Sequence, residues 1–170
     1  MSLKIYLNHT QLHENEAGAV VGTLSITSPP PLASLSLSAL DGTNGFRLDG
    51  VDVDDWSGYY VSSAGDMNGD GFGDVIISAD EGDPDGKTNA GESYVVFGKA
   101  SGWSASMNLS SLDGSNGFRL DGVDANDYSG RLVSSAGDVN GDGYGDVIIG
   151  ARGADPNGKS SAGTSYVVFG

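Results

Sequence analysis

The run Asp66-Met-Asn-Gly-Asp-Gly-Phe-Gly-Asp74 returns 72 positions later as Asp138-Val-Asn-Gly-Asp-Gly-Tyr-Gly-Asp146. In each copy, oxygen-bearing side chains occupy the first, third, fifth and ninth places: Asp66, Asn68, Asp70 and Asp74, then Asp138, Asn140, Asp142 and Asp146. A chain wrapping a small sphere turns every second residue inward. Three carboxylates and one amide can therefore converge on one ion, and the seventh residue, Phe72 or Tyr144, is free to add its backbone carbonyl. The sixth place is Gly71 or Gly143, where such a loop turns sharply. This all-oxygen set suits Ca2+ better than Mg2+, which keeps several waters in a rigid octahedron. The expectation is two calcium ions per chain. Asn68-Gly69 and Asp70-Gly71 would also suit plain hairpin turns, but a turn does not need carboxylates at fixed places twice over.

These loops are landmarks of a longer repetition. Leu40–Gly98 aligns with Leu112–Gly170 without a gap at about three-quarters identity, a tandem repeat. Strand-length runs recur within it: Gly45–Leu48, Tyr59–Ala64, Val75–Ala79 and Ser93–Phe97, then Gly117–Leu120, Arg131–Ala136, Val147–Ala151 and Ser165–Phe169. Each metal loop joins the second strand to the third. Four short antiparallel strands per repeat predict an all-β chain of two β-propeller blades. The expected divisions are 1–31 (an N-terminal β-hairpin and linker), 32–99 (the first blade) and 100–170 (the second). Pro29-Pro30-Pro31 forms a stiff link between hairpin and blades.

Composition narrows the functional classes. A net charge of −15 with only eight Lys and Arg opposes nucleic-acid and anionic-membrane binding. Without cysteine there is neither a disulfide framework nor a thiolate site. No run is long and apolar enough to span a bilayer, and residues 1–10 lack the basic-then-apolar pattern of a signal peptide. The only histidines, His9 and His13, lie outside the repeats, so no catalytic residue is assigned and the chain is expected not to be an enzyme. Asp49, Asp52, Asp54 and Asp55, like Asp121, Asp124, Asn126 and Asp127, read as solvated acidic loops; Trp56 and Tyr128 read as packing between blades. The turns Asp83–Lys87 and Asp155–Lys159 assign their lysines no specific task.

Each repeat resembles the FG-GAP repeat of integrin α-subunit propellers and bacterial surface proteins. The residues carrying the resemblance are Gly65–Ile77 with Tyr94-Val-Val-Phe-Gly98, and Gly137–Ile149 with Tyr166-Val-Val-Phe-Gly170. Family ligands transfer to Asp66, Asn68, Asp70, the Phe72 carbonyl and Asp74, and to Asp138, Asn140, Asp142, the Tyr144 carbonyl and Asp146. The family's Gly-Ala-Pro stands here as Ser78-Ala-Asp80 and Gly150-Ala-Arg152. The stretch Glu14–Leu24 resembles the opening strand of bacterial cadherin-like modules. The resemblance implies a propeller of about seven blades with calcium loops on one face, used extracellularly or at the cell surface for adhesion or partner binding. The alternative is a non-catalytic, carbohydrate-targeting accessory domain of a secreted enzyme. Two blades cannot close a ring alone. The chain is expected either to belong to a larger propeller or to form a head-to-tail homo-oligomer of three or four copies, with a protein or carbohydrate ligand.

Overall fold

The structure, a computed structural model, describes residues 34–170. The expected hairpin at 1–31 lies outside the described residues. Residues Ser38–Gly170 form one compact unit. All nine strands in it are short: β1 Arg47–Asp49, β2 Val61–Gly65, β3 Asp74–Ala79, β4 Glu92–Val96, β5 Ser106–Asn108, β6 Gly117–Asp121, β7 Ser129–Gly137, β8 Asp146–Ala151 and β9 Thr164–Val168. Eight answer the strands expected from the sequence, shifted by one or two residues. β5 was not expected; it pairs in parallel with β1, Leu48 opposite Met107.

The hydrogen-bonded unit is out of phase with the repeating unit. The first antiparallel sheet has the order β2-β3-β4-β6 and the second β7-β8-β9. The Gly-Phe-Arg-Leu strand that opens the second repeat therefore completes the first sheet, with Val95 opposite Phe118 and Glu92 opposite Asp121. Its counterpart β1 joins neither antiparallel sheet.

Alternation along the strands divides the core in two. Ile76 and Val95 on one face of the first sheet pack with Ala64, Met67, Val133, Val147 and Ile149, the seam between the sheets. Ile77, Tyr94 and Val96 on its other face pack with Ala79 and Leu109, flanked by Leu48, Trp103 and Met107. With cover on both faces, β4 is buried throughout. β9 has almost the same sequence but alternates between half-buried and exposed, because neither a fourth strand nor a further layer covers it among the described residues.

The departures from Gly-Ala-Pro have a partner across the seam. Asp80, buried, receives Arg131 at 3.1 Å, and the same guanidinium stands over the ring of Tyr59. Within the first sheet, Glu92 is buried between Arg119 at 3.1 Å and the hydroxyl of Tyr94, whose pKa is raised chiefly by its own burial.

Candidate metal centre

Each loop leaves its sheet at a bulge, between Ser63 and Gly65 in the first and Ser135 and Gly137 in the second. The bulge re-aims the backbone so that the next side chain, Asp66 or Asp138, turns back over the loop. Gly69 and Gly71, like Gly141 and Gly143, have positive φ, which lets the chain coil within a few residues.

Within the first loop, Asp66 accepts from the N–H groups of Asp70 at 3.1 Å and Gly71 at 2.9 Å. The Asn68 carbonyl oxygen accepts from the same Asp70 N–H at 3.1 Å, and the Asn68 amide donates to Asp70 at 2.9 Å. Asp70 in turn accepts from Phe72 N–H at 2.9 Å. The second loop repeats this set with Asp138, Asn140, Asp142 and Tyr144 N–H. The structure thus gathers three of the four expected ligand side chains of each loop.

Asp74 and Asp146 make their hydrogen bonds outside that group. Asp74 is buried at the base of the loop and accepts from Met67 N–H at 2.7 Å and Gly98 N–H at 2.8 Å. Asp146 does the same with Val139 and Gly170. Burial pushes the Asp74 carboxyl above the usual range and the nearby charges of Asp70 and Asp66 add to this, while the two N–H bonds oppose it. These aspartates, at the start of β3 and β8, clamp the loop to the residues just beyond β4 and β9. Nothing in the sequence singles the clamp out, because every pair of residues in the gapless repeat shares its spacing with its counterpart.

Among the described residues, no three acidic or histidine side chains are grouped as a ready metal cage. The donor chemistry nevertheless fits a hard cation: two carboxylates and an amide oxygen converge, with no nitrogen or sulfur ligand. A carboxylate offers about four lone-pair positions, so one N–H bond to each Asp74 oxygen does not exhaust it.

The two loops are neighbours. Gly145 N–H donates to the Asp66 carbonyl at 2.7 Å, and a Cβ placed on Gly69 would meet the ring of Tyr144 at 2.2 Å. Both candidate centres therefore open on one end of the paired sheets.

Other expectations are corrected by the structure. Asp55 and Asp127 are buried rather than solvated; each lies between two residues of positive φ, Asp54 and Trp56 or Asn126 and Tyr128. Tyr128 does meet the other repeat, its hydroxyl accepting from the Asn89 side-chain amide at 3.4 Å and its N–H donating to the Asn89 carbonyl at 3.0 Å, but Trp56 is 62% exposed. Lys87 has a specific task, donating to the Val123 carbonyl at 2.7 Å across the junction.

A family model described as FG-GAP repeat matches residues 58–96 and 129–168. No curated protein matches the chain. Each match spans three consecutive strands and its loop, β2 to β4 and β7 to β9. Repeats of this family build β-propeller blades, suggest a module for protein–protein interaction and are typical of extracellular or surface proteins. No helix among the described residues is long and apolar enough to cross a membrane.

Proposed function

On the premise that the chain carries two FG-GAP repeats, we propose that it is a calcium-binding propeller module for adhesion outside the cell, its ions structural. The observation behind this reading is the duplicated convergence of Asp66, Asn68 and Asp70, and of Asp138, Asn140 and Asp142, in loops held by matching hydrogen bonds. Asp66, Asn68, Asp70, Asp74 and the Phe72 carbonyl would hold one ion; Asp138, Asn140, Asp142, Asp146 and the Tyr144 carbonyl the other. A bound calcium supplies positive charge and nothing more: it offsets carboxylate repulsion and fixes the loops.

The chain's own residues do the rest. Asp74 and Asp146 anchor the loops to the sheets, and the contact of Gly69 with Tyr144 holds the loops side by side. Together they present a polar, acidic surface with Phe72 and Tyr144 partly exposed, a surface suited to a protein partner rather than to a reaction. The reading assigns no catalytic residue.

Isothermal titration of chelator-stripped protein tests it. Two calcium ions bound per chain, with magnesium much weaker, is the expected result. No calcium binding, or magnesium binding as tightly, refutes it.

A further inference from the structure

The peptide joining Tyr144 to Gly145 stands between the two candidate calcium loops. Its carbonyl belongs to Tyr144, the seventh residue of the second loop, where a backbone oxygen is expected to serve the ion. Its N–H belongs to Gly145 and donates to the Asp66 carbonyl at 2.7 Å. Asp66 is the first residue of the other loop, and its carboxylate accepts from the N–H groups of Asp70 and Gly71. In a planar trans peptide the carbonyl and the N–H point in opposite directions. One rigid group therefore turns its nitrogen to the first loop and its oxygen away from it.

The approach is close enough to dictate residue type. Gly145 lacks the positive φ that its neighbours Gly141 and Gly143 adopt. A Cβ on it would nevertheless meet the Asp66 nitrogen at 2.8 Å and the Ala64 carbonyl oxygen at 2.9 Å, backbone atoms that cannot swing aside as a side chain would. Gly170, held by Asp146, is wedged in the same way: a Cβ there would meet the carbonyl oxygens of Gly145 at 2.5 Å and Met67 at 2.6 Å. The Tyr144 ring lies over Gly69, between the expected ligands Asn68 and Asp70. Met67 is itself buried in the seam with Ala64 and Val147, so both loops rise from one packed base.

We infer that Tyr144 and Gly145 of the second loop are positioning residues for the first calcium site, so that the two sites bind calcium with positive cooperativity. The inference rests on the calcium reading above and adds to it a coupling between the sites.

One site can favour another only through a group that differs between the metal-free and the metal-bound state. The Tyr144 carbonyl is such a group. Held at the second site, it polarises its own peptide, strengthens the Gly145 N–H bond to Asp66 and keeps the Tyr144 ring on Gly69. The first loop is then ordered before its own ion arrives, and binding there costs less conformational entropy. Linkage makes the effect reciprocal, with the same factor in both directions. Repulsion between two divalent ions acts the other way, but between exposed loops it is screened over roughly 8 Å at 0.15 M salt, whereas the hydrogen bond and the ring contact are not. Couplings between sites typically amount to about 5- to 150-fold in affinity.

Calorimetric titration of the chelator-stripped full chain with calcium, at 0.15 M salt, tests it. Asp138→Asn with Asp142→Asn disables the second site while keeping oxygens that accept the loop's own N–H bonds, and Asp66→Asn with Asp70→Asn does the same to the first. Each double variant gives one single-site constant. The overall two-ion constant of the parent should exceed the product of the two by at least about fivefold. The same cycle is run on Gly145→Ala, on Gly69→Ala, which displaces the Tyr144 ring, and on Gly141→Ala, where a Cβ meets nothing within 4 Å. The excess should approach one in Gly145→Ala, fall in Gly69→Ala and persist in Gly141→Ala; if Gly145→Ala does not fold, the other two decide. Two ions bound independently, or each weakening the other, overturn the coupling and leave the calcium reading standing, as does an excess equal in Gly69→Ala and Gly141→Ala. A parent that binds no calcium refutes the calcium reading and this inference with it.

Discussion

The ring of Tyr144 lies so close over Gly69 that a Cβ on the glycine would meet it at 2.2 Å, whereas a Cβ at the equivalent Gly141 would meet nothing within 4 Å. The two glycines have nearly the same backbone, φ +72° and +76°. The repeats thus contain their own control for a contact between neighbouring loops.

Gly69→Ala and Gly141→Ala share the backbone penalty of an L-residue at positive φ, roughly 1–2 kcal/mol. Only Gly69→Ala must also displace Tyr144, so it should be the more destabilising by about 1 kcal/mol, a modest excess because the half-exposed ring can swing outward. Urea denaturation of both variants checks this. Adding Tyr144→Ala to each should abolish the difference.

Arg131→Ala removes the cation that faces buried Asp80 across the seam between the sheets. The carboxylate would be left without its partner, a loss of about 1–3 kcal/mol after allowance for the partly exposed guanidinium. Adding Asp80→Asn should restore part of that stability, because the remaining group no longer carries a buried charge. Thermal denaturation of the single and double variants reads the coupling, and independent effects would remove Arg131 from the seam's energetics.

Much of this was legible in the sequence, and the unread part has physical causes. The loops and strands could be read because ligand spacing and strand alternation are local. The sheet boundary could not: Gly117-Phe-Arg-Leu-Asp121 is identical to Gly45-Phe-Arg-Leu-Asp49, and only tertiary placement decides that one caps β4 while the other lies parallel to β5. The three-residue β5 carries too little pattern to be seen. Asp55 and Asp127 look like their acidic neighbours, and their burial follows from turns set by positive φ at Asp54, Trp56, Asn126 and Tyr128. Lys87 acquires its acceptor at Val123 only when the repeats meet.

Asp55 gives the chain an inverted acid response. Burial raises its pKa, and the charges of Glu92, Asp52 and Asp83 push the same way. A carboxyl raised in the folded state favours the protonated fold, so its contribution is complete below the unfolded value near 4 and is lost as pH rises through the folded value. Asp55→Asn, neutral throughout, should therefore exceed the parent in stability at pH 7 and match it at acid pH. Denaturant unfolding in chelator at both pH values checks this. A variant weaker than the parent at pH 7 would show that the ionised carboxylate is the form the turn requires.

Asp70→Asn separates a structural ion from a metal-free acidic turn. The amide oxygen can still accept from Phe72 N–H; the bond from the Asn68 amide to the second carboxylate oxygen is lost, but it is exposed and water replaces it, while one charge is removed. With chelator, the substitution removes repulsion toward Asp66 and should leave stability unchanged or slightly raised. With calcium, it should be destabilising, because a ligand charge is lost; a site filled at a hundred times its dissociation constant contributes about 2.7 kcal/mol to the parent. The sign of the effect should therefore reverse between the two conditions, in melting curves of the first-loop variant and of Asp142→Asn in the second. An equal loss in both would identify the carboxylates as turn caps and count against the calcium reading.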